Sequence, residues 1–298
     1  MIKFSGGGAS VVEAASPVPG PGQVLVRVQA VGAGIGLVRL LADGPASPGG
    51  EIVGTVAEIG PEVTGYAVGD RVGGVVFTDA YAEFVVADPR LIGPVPAGVE
   101  AGAALAVVRG GLVALAALRT GRFTAGESVL VTAAASGVGH LAVQLARTLG
   151  AGRVVGAVGS PDKADFVVDC GADAAVTYAD ESWGDPVDLV LDGVGGDLLS
   201  RGVDALAPFG RLVAFSAAGG TVDAGRLLAN MKTLHGLTIG TLNRTRPHQV
   251  DAVRAELWDL VAAGRLAPRH VDLPFAAAAE AMALIASRSN RGRVVLVP

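Results

Sequence analysis

The sequence S-V-L-V-T-A-A-A-S-G-V-G-H-L-A-V-Q-L-A-R-T-L-G-A-G-R-V-V-G-A-V, residues 128–158, decides the fold. The apolar, β-branched run 129–132 predicts a buried parallel strand. A turn of small residues follows, and apolar residues then recur at helical spacing from Leu141 to Leu149, until Gly150 ends the helix. The run 153–158 predicts a second buried strand. Strand, glycine-rich turn, helix and strand within about 30 residues form the unit that binds mononucleotides.

The turn 133–139 is the predicted phosphate-binding element. Backbone N–H groups at a helix N-terminus, together with the helix dipole, attract a pyrophosphate. The turn departs from the G-x-G-x-x-G pattern, because Ala134 and Ser136 occupy the first two glycine positions and only Gly139 is kept. On this pattern alone, a tight turn that binds nothing remains an alternative.

Composition excludes several classes of protein. Apolar residues make up 51% of the 298 residues and charged residues 17%, as in a globular chain. The net charge of −5, without a basic cluster, argues against a nucleic-acid partner. The most apolar stretch, 101–118, is interrupted by Arg109, Gly110 and Gly111, so no membrane helix is expected. The single cysteine, Cys170, excludes an internal disulfide and fits a cytoplasmic location.

The pattern of strands and helices predicts two domains of different class. Residues 1–97 are rich in short strands bounded by glycine and proline, and 98–264 alternate between strands and helices. Residues 265–298 are expected to return to the first domain, with a helix and a closing strand. The elements expected after the glycine-rich unit are strands at 188–192, 210–216 and 234–240, helices at 249–263 and 275–285, and a strand at 291–298.

Several segments of the sequence resemble those of a known family. P-G-P-G-Q-V-L-V-R-V at 19–28, V-G-T-V-A-E-I-G-P-E-V-T-G-Y-A-V-G-D-R-V at 53–72 and Y-A-E-F-V-V at 81–86 resemble the chaperonin-10-like (GroES-like) catalytic domain of the medium-chain dehydrogenase/reductase superfamily. The turn A-A-S-G-V-G, followed by H-L-A-V-Q-L-A-R, resembles that of its zinc-free quinone oxidoreductase branch.

The resemblance covers essentially the whole chain and implies its architecture. Residues 1–97 and 265–298 would form the GroES-like domain. Residues 98–264 would form an NADP(H)-binding Rossmann domain, an α/β doubly wound parallel sheet. It further implies a small-molecule substrate in the cleft between the domains, and a homodimer formed across the strand 234–240.

The residues after the second strand of the unit favour NADP(H). NAD-dependent enzymes place an acidic residue about 20 residues beyond the last glycine, where it binds the ribose 2′-hydroxyl. Here Gly159 and Ser160 stand at that place, and Asp162 belongs to the next helix, which Ser160 is expected to cap. A missing carboxylate with Lys163 nearby favours a 2′-phosphate.

The resemblance implies further contacts with the cofactor. Ser160, Lys163 and Tyr178 match one by one the serine, lysine and tyrosine that surround the 2′-phosphate in the family. Arg293 resembles a basic residue that approaches the cofactor phosphates. The other predicted contacts lie in the turn and after the next three strands: Ser136, Gly137, Val138, Gly139, Gly193, Val194, Phe215, Ser216, Ala217, Thr241, Leu242 and Asn243.

No metal site is expected. A catalytic zinc needs three protein ligands, and where zinc alcohol dehydrogenases have G-H-E, this chain has Gly50 before Glu51. No tyrosine is followed four residues later by lysine, which excludes the short-chain dehydrogenases. The candidate zinc ligands, no two of which lie at ligand spacing, are Cys170, His140, His235, His248 and His270.

The predicted activity is zinc-independent, NADPH-dependent transfer of hydride to a quinone or an α,β-unsaturated carbonyl compound. Quinone oxidoreductases usually carry Asn and Asp in the loop that here reads G-A-G-I-G-L-V-R, 32–39, so a more apolar cleft is expected. Arg39, Arg109 and Asn243 are the polar candidates for facing the substrate, and no catalytic residue is assigned. Two alternatives stay open: an enoyl reductase of secondary metabolism, and a protein that binds the cofactor without redox turnover.

Overall fold

The computed structural model describes residues 1–5, 8–43, 47–216 and 218–298. Its contacts divide the chain into two units. Unit 1 contains Met1–Arg109 and Arg269–Pro298, and unit 2 contains Gly110–Pro268. The domain boundaries expected from the sequence, 97/98 and 264/265, stay predictions.

Strands and helices alternate along the second half of the chain, whereas strands dominate the first. The strands are β1 Ile2–Ser5, β2 Gly8–Val11, β3 Val24–Ala33, β4 Pro48–Ile59, β5 Arg71–Thr78, β6 Phe84–Ala87, β7 Ile92–Pro94, β8 Ser128–Thr132, β9 Arg153–Val158, β10 Ala174–Thr177, β11 Val187–Asp192, β12 Leu206–Ala214, β13 Thr233–Gly236, β14 His270–Pro274 and β15 Arg293–Val297. The α-helices are α1 Ile35–Asp43, α2 Ala101–Leu105, α3 Leu112–Thr120, α4 Gly139–Thr148, α5 Ala164–Asp169, α6 Asp197–Asp204, α7 Ala224–Leu228, α8 Ile239–Thr245, α9 Pro247–Ala262 and α10 Ala278–Ala286.

Unit 1 is built on a mainly antiparallel sheet. Its strand order is β14-β15-β3-β4-β5-β7, and β6 also pairs with β3. The last strand of the chain lies antiparallel to β3, with Val294 opposite Ala33, so the C-terminal segment pairs with an N-terminal strand within unit 1. Buried apolar side chains such as Val26, Ile52 and Leu296 form its core.

Unit 2 is a parallel, doubly wound sheet, which confirms the predicted fold class. Its order is β10-β9-β8-β11-β12-β13, and each neighbouring pair is parallel. Numbered within the unit, this is the 3-2-1-4-5-6 order of dinucleotide-binding folds. Almost every residue of β8, β9 and β11 is buried, because helices cover both faces of a sheet of this kind.

The strand predicted at 234–240 is partly wrong. Strand β13 ends at Gly236, and Thr238 caps α8, because its side chain accepts a hydrogen bond from the Thr241 N–H at 3.2 Å. Threonine is a common residue at this capping position. Strand β13 lies at the edge of the sheet, and the homodimer expected across it stays a prediction.

A long apolar helical stretch links the two parts of the chain. Helices α2 and α3 are joined by a π-helical segment, Ala106–Gly111, into one stretch from Ala101 to Thr120. By length and composition alone this stretch could cross a membrane, but 78% of its most apolar window is buried within the protein. Its first part, α2, packs against β3 and β4, and this part belongs to unit 1.

Asp188 at the start of β11 is expected to stabilise unit 2 through its charge. Its Oδ2 accepts hydrogen bonds from the N–H and the hydroxyl of Ser128, at 2.8 and 2.7 Å. The Ser128 N–H, its hydroxyl and the Arg211 charge together lower the pKa of Asp188 below 3.8, although partial burial opposes them. We predict that Asp188→Asn lowers the free energy of unfolding by about 1–2 kcal/mol at neutral pH.

The loss of unfolding free energy caused by Asp188→Asn should depend on pH. Since the folded-state pKa is lowered, the stabilisation is complete above 3.8 and is lost as the pH falls through the folded-state value. Urea unfolding followed by circular dichroism would therefore show the deficit at about pH 7 and about pH 5, and a smaller deficit at about pH 3. Asp185→Asn is the control, because the Asp185 side chain is 93% exposed. A deficit that is equal at all three pH values would contradict the prediction.

Candidate functional site

The carboxyl ends of β8 and β11 are tied together by a buried hydrogen bond. The Thr132 hydroxyl donates to Asp192 Oδ1 at 2.7 Å, and both residues are 0% exposed. These neighbouring strands lie where the strand order of the sheet reverses. In open α/β sheets, ligands bind outside the carboxyl ends of the strands at this point.

Asp192 also fixes the loop that follows β11. Its carboxylate accepts from the N–H groups of Val194 and Gly195, at 3.1 and 2.9 Å, and the Gly193 N–H donates to the Thr132 hydroxyl at 3.0 Å. A buried carboxylate needs such donors. Sequence reasoning named Gly193 and Val194 but missed Thr132 and Asp192. The signal in the sequence that could have identified Asp192 is an acidic residue at the end of a buried apolar run.

The glycine-rich turn is closed by its own hydrogen bonds. The Ser136 hydroxyl accepts from the Gly139 N–H at 3.0 Å, and the Ser136 carbonyl accepts from the His140 N–H at 3.1 Å. The second bond is of helical type, so the N–H groups of Gly137 and Val138 precede the helical pattern and suit an anion. A side chain at Gly139 would place its Cβ 2.0 Å from the Ala133 carbonyl oxygen, which explains why this glycine is kept.

The three residues predicted around a 2′-phosphate gather at the end of β9. The Tyr178 N–H donates to the Val158 carbonyl at 2.9 Å, and the Tyr178 hydroxyl accepts from the Ala133 N–H of the turn at 2.8 Å. The Lys163 N–H donates to the Ser160 carbonyl at 3.3 Å. Ser160 occupies the predicted N-cap position, but its side chain makes no capping bond, and its hydroxyl donates to Asp162 instead.

A further group of predicted contacts meets after β11 and β12. The Ser216 hydroxyl donates to the Val194 carbonyl at 2.8 Å. The Phe215 ring covers Gly193, where an added Cβ would lie 2.9 Å from a ring carbon. Ala217 lies outside the described residues. Thr241, Leu242 and Asn243 do not follow a strand directly but belong to α8.

The three predicted arginines, Arg39, Arg109 and Arg293, lie in unit 1. Two of them share Glu51 as a partner, which the sequence analysis did not predict. Arg109 Nη1 and Arg293 Nη2 each lie 2.6 Å from an oxygen of Glu51, which is 8% exposed on β4. Arg39 lies exposed on α1. Glu51 and Arg293 are 242 residues apart in the chain, so no local pattern could have paired them.

The charge of Glu51 is retained in spite of its burial. Burial raises the pKa of this carboxyl, but the charges of Arg293 and Arg109, together with hydrogen bonds to the carboxylate, more than offset burial, and the net shift is downward from 4.5. Burial and the nearby Glu51 carboxylate raise the pKa of Tyr81, whose hydroxyl donates to the Gly32 carbonyl at 2.8 Å. Glu51 is therefore ionised and Tyr81 neutral at physiological pH.

Glycines at 32 and 34 make room for the Arg293 guanidinium. A Cβ at Gly32 would lie 1.8 Å from Arg293 Nη2, and one at Gly34 would lie 3.1 Å from Nη1. The more apolar cleft expected from this loop stays a prediction, but at these two positions the space beside the backbone holds a guanidinium. The missing side chains are replaced by a charged group.

One cluster of potential metal ligands exists among the described residues. The ligand atoms of Glu100, His270 and Asp272 all lie within 4.8 Å of one another. The two carboxylates face different ring nitrogens of His270, with Asp272 at 2.8 Å from Nδ1 and Glu100 at 3.4 Å from Nε2. This is the arrangement of a histidine paired with two acids, and it does not fit one ion bound by all three groups.

Two family models match the chain. The alcohol dehydrogenase GroES-like domain matches residues 20–97, and the zinc-binding dehydrogenase domain matches residues 137–259. The Escherichia coli quinone oxidoreductase complexed with NADPH has a similar structure, with a TM-score of 0.87 and 25% identity, over 100% of this chain and 99% of that chain.

Curated relatives point to the same family. Over 306 residues the chain is 37% identical to the spectinabilin polyketide synthase system protein NorB of Streptomyces orinoci; the match covers 95% of this chain but only 13% of that protein's length. It is 34% identical to the Pseudomonas aeruginosa quinone oxidoreductase, over 94% of this chain and 92% of the relative. The chain therefore belongs to the quinone oxidoreductase-like branch of the medium-chain dehydrogenase/reductase superfamily.

Proposed function

We propose that this protein is an NADPH-dependent oxidoreductase that transfers hydride to a quinone or an α,β-unsaturated carbonyl compound without zinc. The observation that carries the proposal is the grouping of Ser160, Lys163 and Tyr178 at the end of β9, where Gly159 replaces an acid. The NADPH complex of the E. coli relative supports the same cofactor.

The residues of unit 2 fit a dinucleotide. The N–H groups of Gly137 and Val138 would bind the pyrophosphate, since these residues directly precede α4 and the helix dipole favours an anion there. The Tyr178 hydroxyl already accepts the Ala133 N–H and can donate its own proton to a phosphate oxygen. Lys163 would add a positive charge beside that phosphate.

The loop after β11 would receive the nicotinamide end. NADPH supplies a hydride to the substrate when it is bound. The Asp192 carboxylate holds the N–H groups of Val194 and Gly195, and Ser216 holds the Val194 carbonyl. These bonds fix the backbone against which the ring would lie, and such positioning is the main contribution a protein makes to hydride transfer.

The proposed independence of zinc rests on the available ligand atoms. A catalytic zinc needs three protein ligands and an open position. Gly50, which precedes Glu51, offers no ligand side chain, and both Glu51 oxygens are bound by guanidinium groups. The ligand set therefore does not fit a zinc at this place, although a family model that matches unit 2 is named for zinc binding.

A second candidate function is enoyl reduction on a polyketide assembly line. The observation that favours it is the 37% identity to the polyketide synthase system protein over 95% of this chain. Both candidate functions reduce a conjugated double bond or its equivalent. They differ in whether the substrate is a free small molecule or is attached to a carrier as a thioester.

Activity assays separate these candidates. We expect the purified protein to oxidise NADPH in the presence of a quinone or of 2-cyclohexen-1-one, because neither substrate needs a carrier. Preference for a crotonyl thioester over both by about 100-fold in kcat/KM would favour the enoyl reductase. NADPH binding without oxidation by any of the three would contradict both candidates and favour a protein that binds the cofactor without turnover.

Lys163→Ala tests the phosphate site. We expect the Kd for NADPH to rise about 10- to 100-fold, because a charge-assisted hydrogen bond to the 2′-phosphate is lost. The Kd for NADH should stay the same, and Lys163→Arg should bind NADPH nearly as well as the native protein. Fluorescence titration measures both constants, and Lys3→Ala in unit 1 is the control. An equal loss for both cofactors would show that Lys163 does not recognise the phosphate.

Gly159→Asp is expected to reverse the preference for the cofactor. The new carboxylate would repel a 2′-phosphate and accept the 2′-hydroxyl of NADH. The residue fits, since its Cβ would meet the Tyr178 ring at 3.6 Å, an ordinary contact. Gly159→Asn has almost the same shape without the charge, and it should keep the preference for NADPH. If both variants change the ratio of the two Kd values equally, bulk and not charge is responsible.

A further inference from the structure

The cluster of Glu51, Arg109 and Arg293 in unit 1 carries a surplus positive charge. One carboxylate faces two guanidinium groups, and each of its oxygens is 2.6 Å from one of them. Glu51 is ionised, because the two arginines hold its pKa below the usual value in spite of burial. The carboxylate neutralises one guanidinium, and one positive charge remains.

The two arginines differ in what they can reach. The Arg293 side chain is 16% exposed and fills the space beside Gly32 and Gly34. The Arg109 side chain is 55% exposed and projects from the π-helical segment Ala106–Gly111. Such segments are rare and occur often at functional sites. The surplus charge is therefore accessible through Arg109.

Glu51 uses one corner of the Arg109 guanidinium. Only Nη1 of Arg109 contacts the carboxylate, and the edge formed by Nε and Nη2 has no hydrogen-bond partner among the residues that the structure describes. A guanidinium has five donors in a fixed plane. With one corner held by a buried acid, the opposite edge is oriented to bind an oxygen that carries negative charge.

The proposed reaction creates such an oxygen. When a hydride adds to the β-carbon of a conjugated carbonyl compound, the electron pair of the C=C bond moves toward the carbonyl, and the negative charge lies largely on its oxygen. The substrate gains two electrons, NADPH becomes NADP⁺, and a solvent proton then completes the saturated product. An oriented cation at this oxygen stabilises the transition state more than the neutral substrate.

We propose that Arg109 is the catalytic residue that binds this oxygen through its Nε–Nη2 edge. Glu51 and Arg293 are positioning residues: Glu51 holds the Arg109 guanidinium in place, and Arg293 balances the charge of Glu51, so that Arg109 remains an effective cation. The inference rests on the reductase function proposed above, and it names the group that polarises the substrate.

Steady-state kinetics with 2-cyclohexen-1-one and NADPH tests the proposal. Arg109→Met should lower kcat about 10- to 100-fold, somewhat less than for a buried oxyanion donor because Arg109 is half exposed. KM and the Kd for NADPH should change less than about threefold, since the charge develops only in the transition state. Arg109→Lys should recover most of kcat, and Arg27→Met, at an exposed arginine on β3, should match the native protein.

The roles of the positioning residues are tested by a double variant. Glu51→Gln should lower kcat, and Glu51→Gln combined with Arg109→Met should be no slower than Arg109→Met alone, because Glu51 acts through Arg109. Independent, multiplying losses would show that Glu51 acts on stability instead. Thermal unfolding of each variant separates reduced turnover from reduced folding.

The outcomes distinguish this inference from the function on which it rests. If the native protein does not oxidise NADPH with the enone, the proposed function fails, and the role of Arg109 fails with it. If the native protein is active and Arg109→Met has an unchanged kcat, only the role of Arg109 is overturned. A loss confined to KM, or an equal loss in NADPH affinity, overturns it too, since Arg109 would then bind a ground-state anion or the cofactor.

Discussion

A carboxylate that is removed from water must be surrounded by donors, and both units of this protein depend on that constraint. In unit 2, Asp192 is fully buried and takes its donors from the Thr132 hydroxyl and from two backbone N–H groups of the loop that follows β11. The acid therefore connects two neighbouring parallel strands and shapes the loop at the point where the strand order reverses.

In unit 1 the same constraint is met by cations instead of neutral donors. Glu51 is buried between Arg109 and Arg293, and the two positive charges exceed what one carboxylate requires. The neutral donors around Asp192 fix the loop after β11. The cationic donors around Glu51 fix the carboxylate and also leave one positive charge that it does not neutralise. This difference explains why the acid of unit 2 organises backbone and the acid of unit 1 orients a side chain.

Glycines, which have no side chain, are as important for the packing of this structure as its charged residues. Gly139 allows α4 to begin directly against the Ala133 carbonyl, and Gly32 leaves a space that the Arg293 guanidinium fills. In both places a Cβ would overlap a neighbouring atom, at 2.0 and 1.8 Å. Glycine therefore marks close approach, of backbone to backbone in unit 2 and of charge to backbone in unit 1.

The sequence by itself determined the local elements and their class, because apolar periodicity and turn residues act within a few positions of one another. It predicted the parallel unit and its turn, and it failed at β13, where the capping Thr238 ended a run that looked like strand. Only the tertiary structure showed that Arg109 and Arg293 share Glu51 as their partner. The contact between Glu51 and Arg293 joins residues 242 positions apart, and such pairing arises from sheet topology, which no spacing in the sequence records.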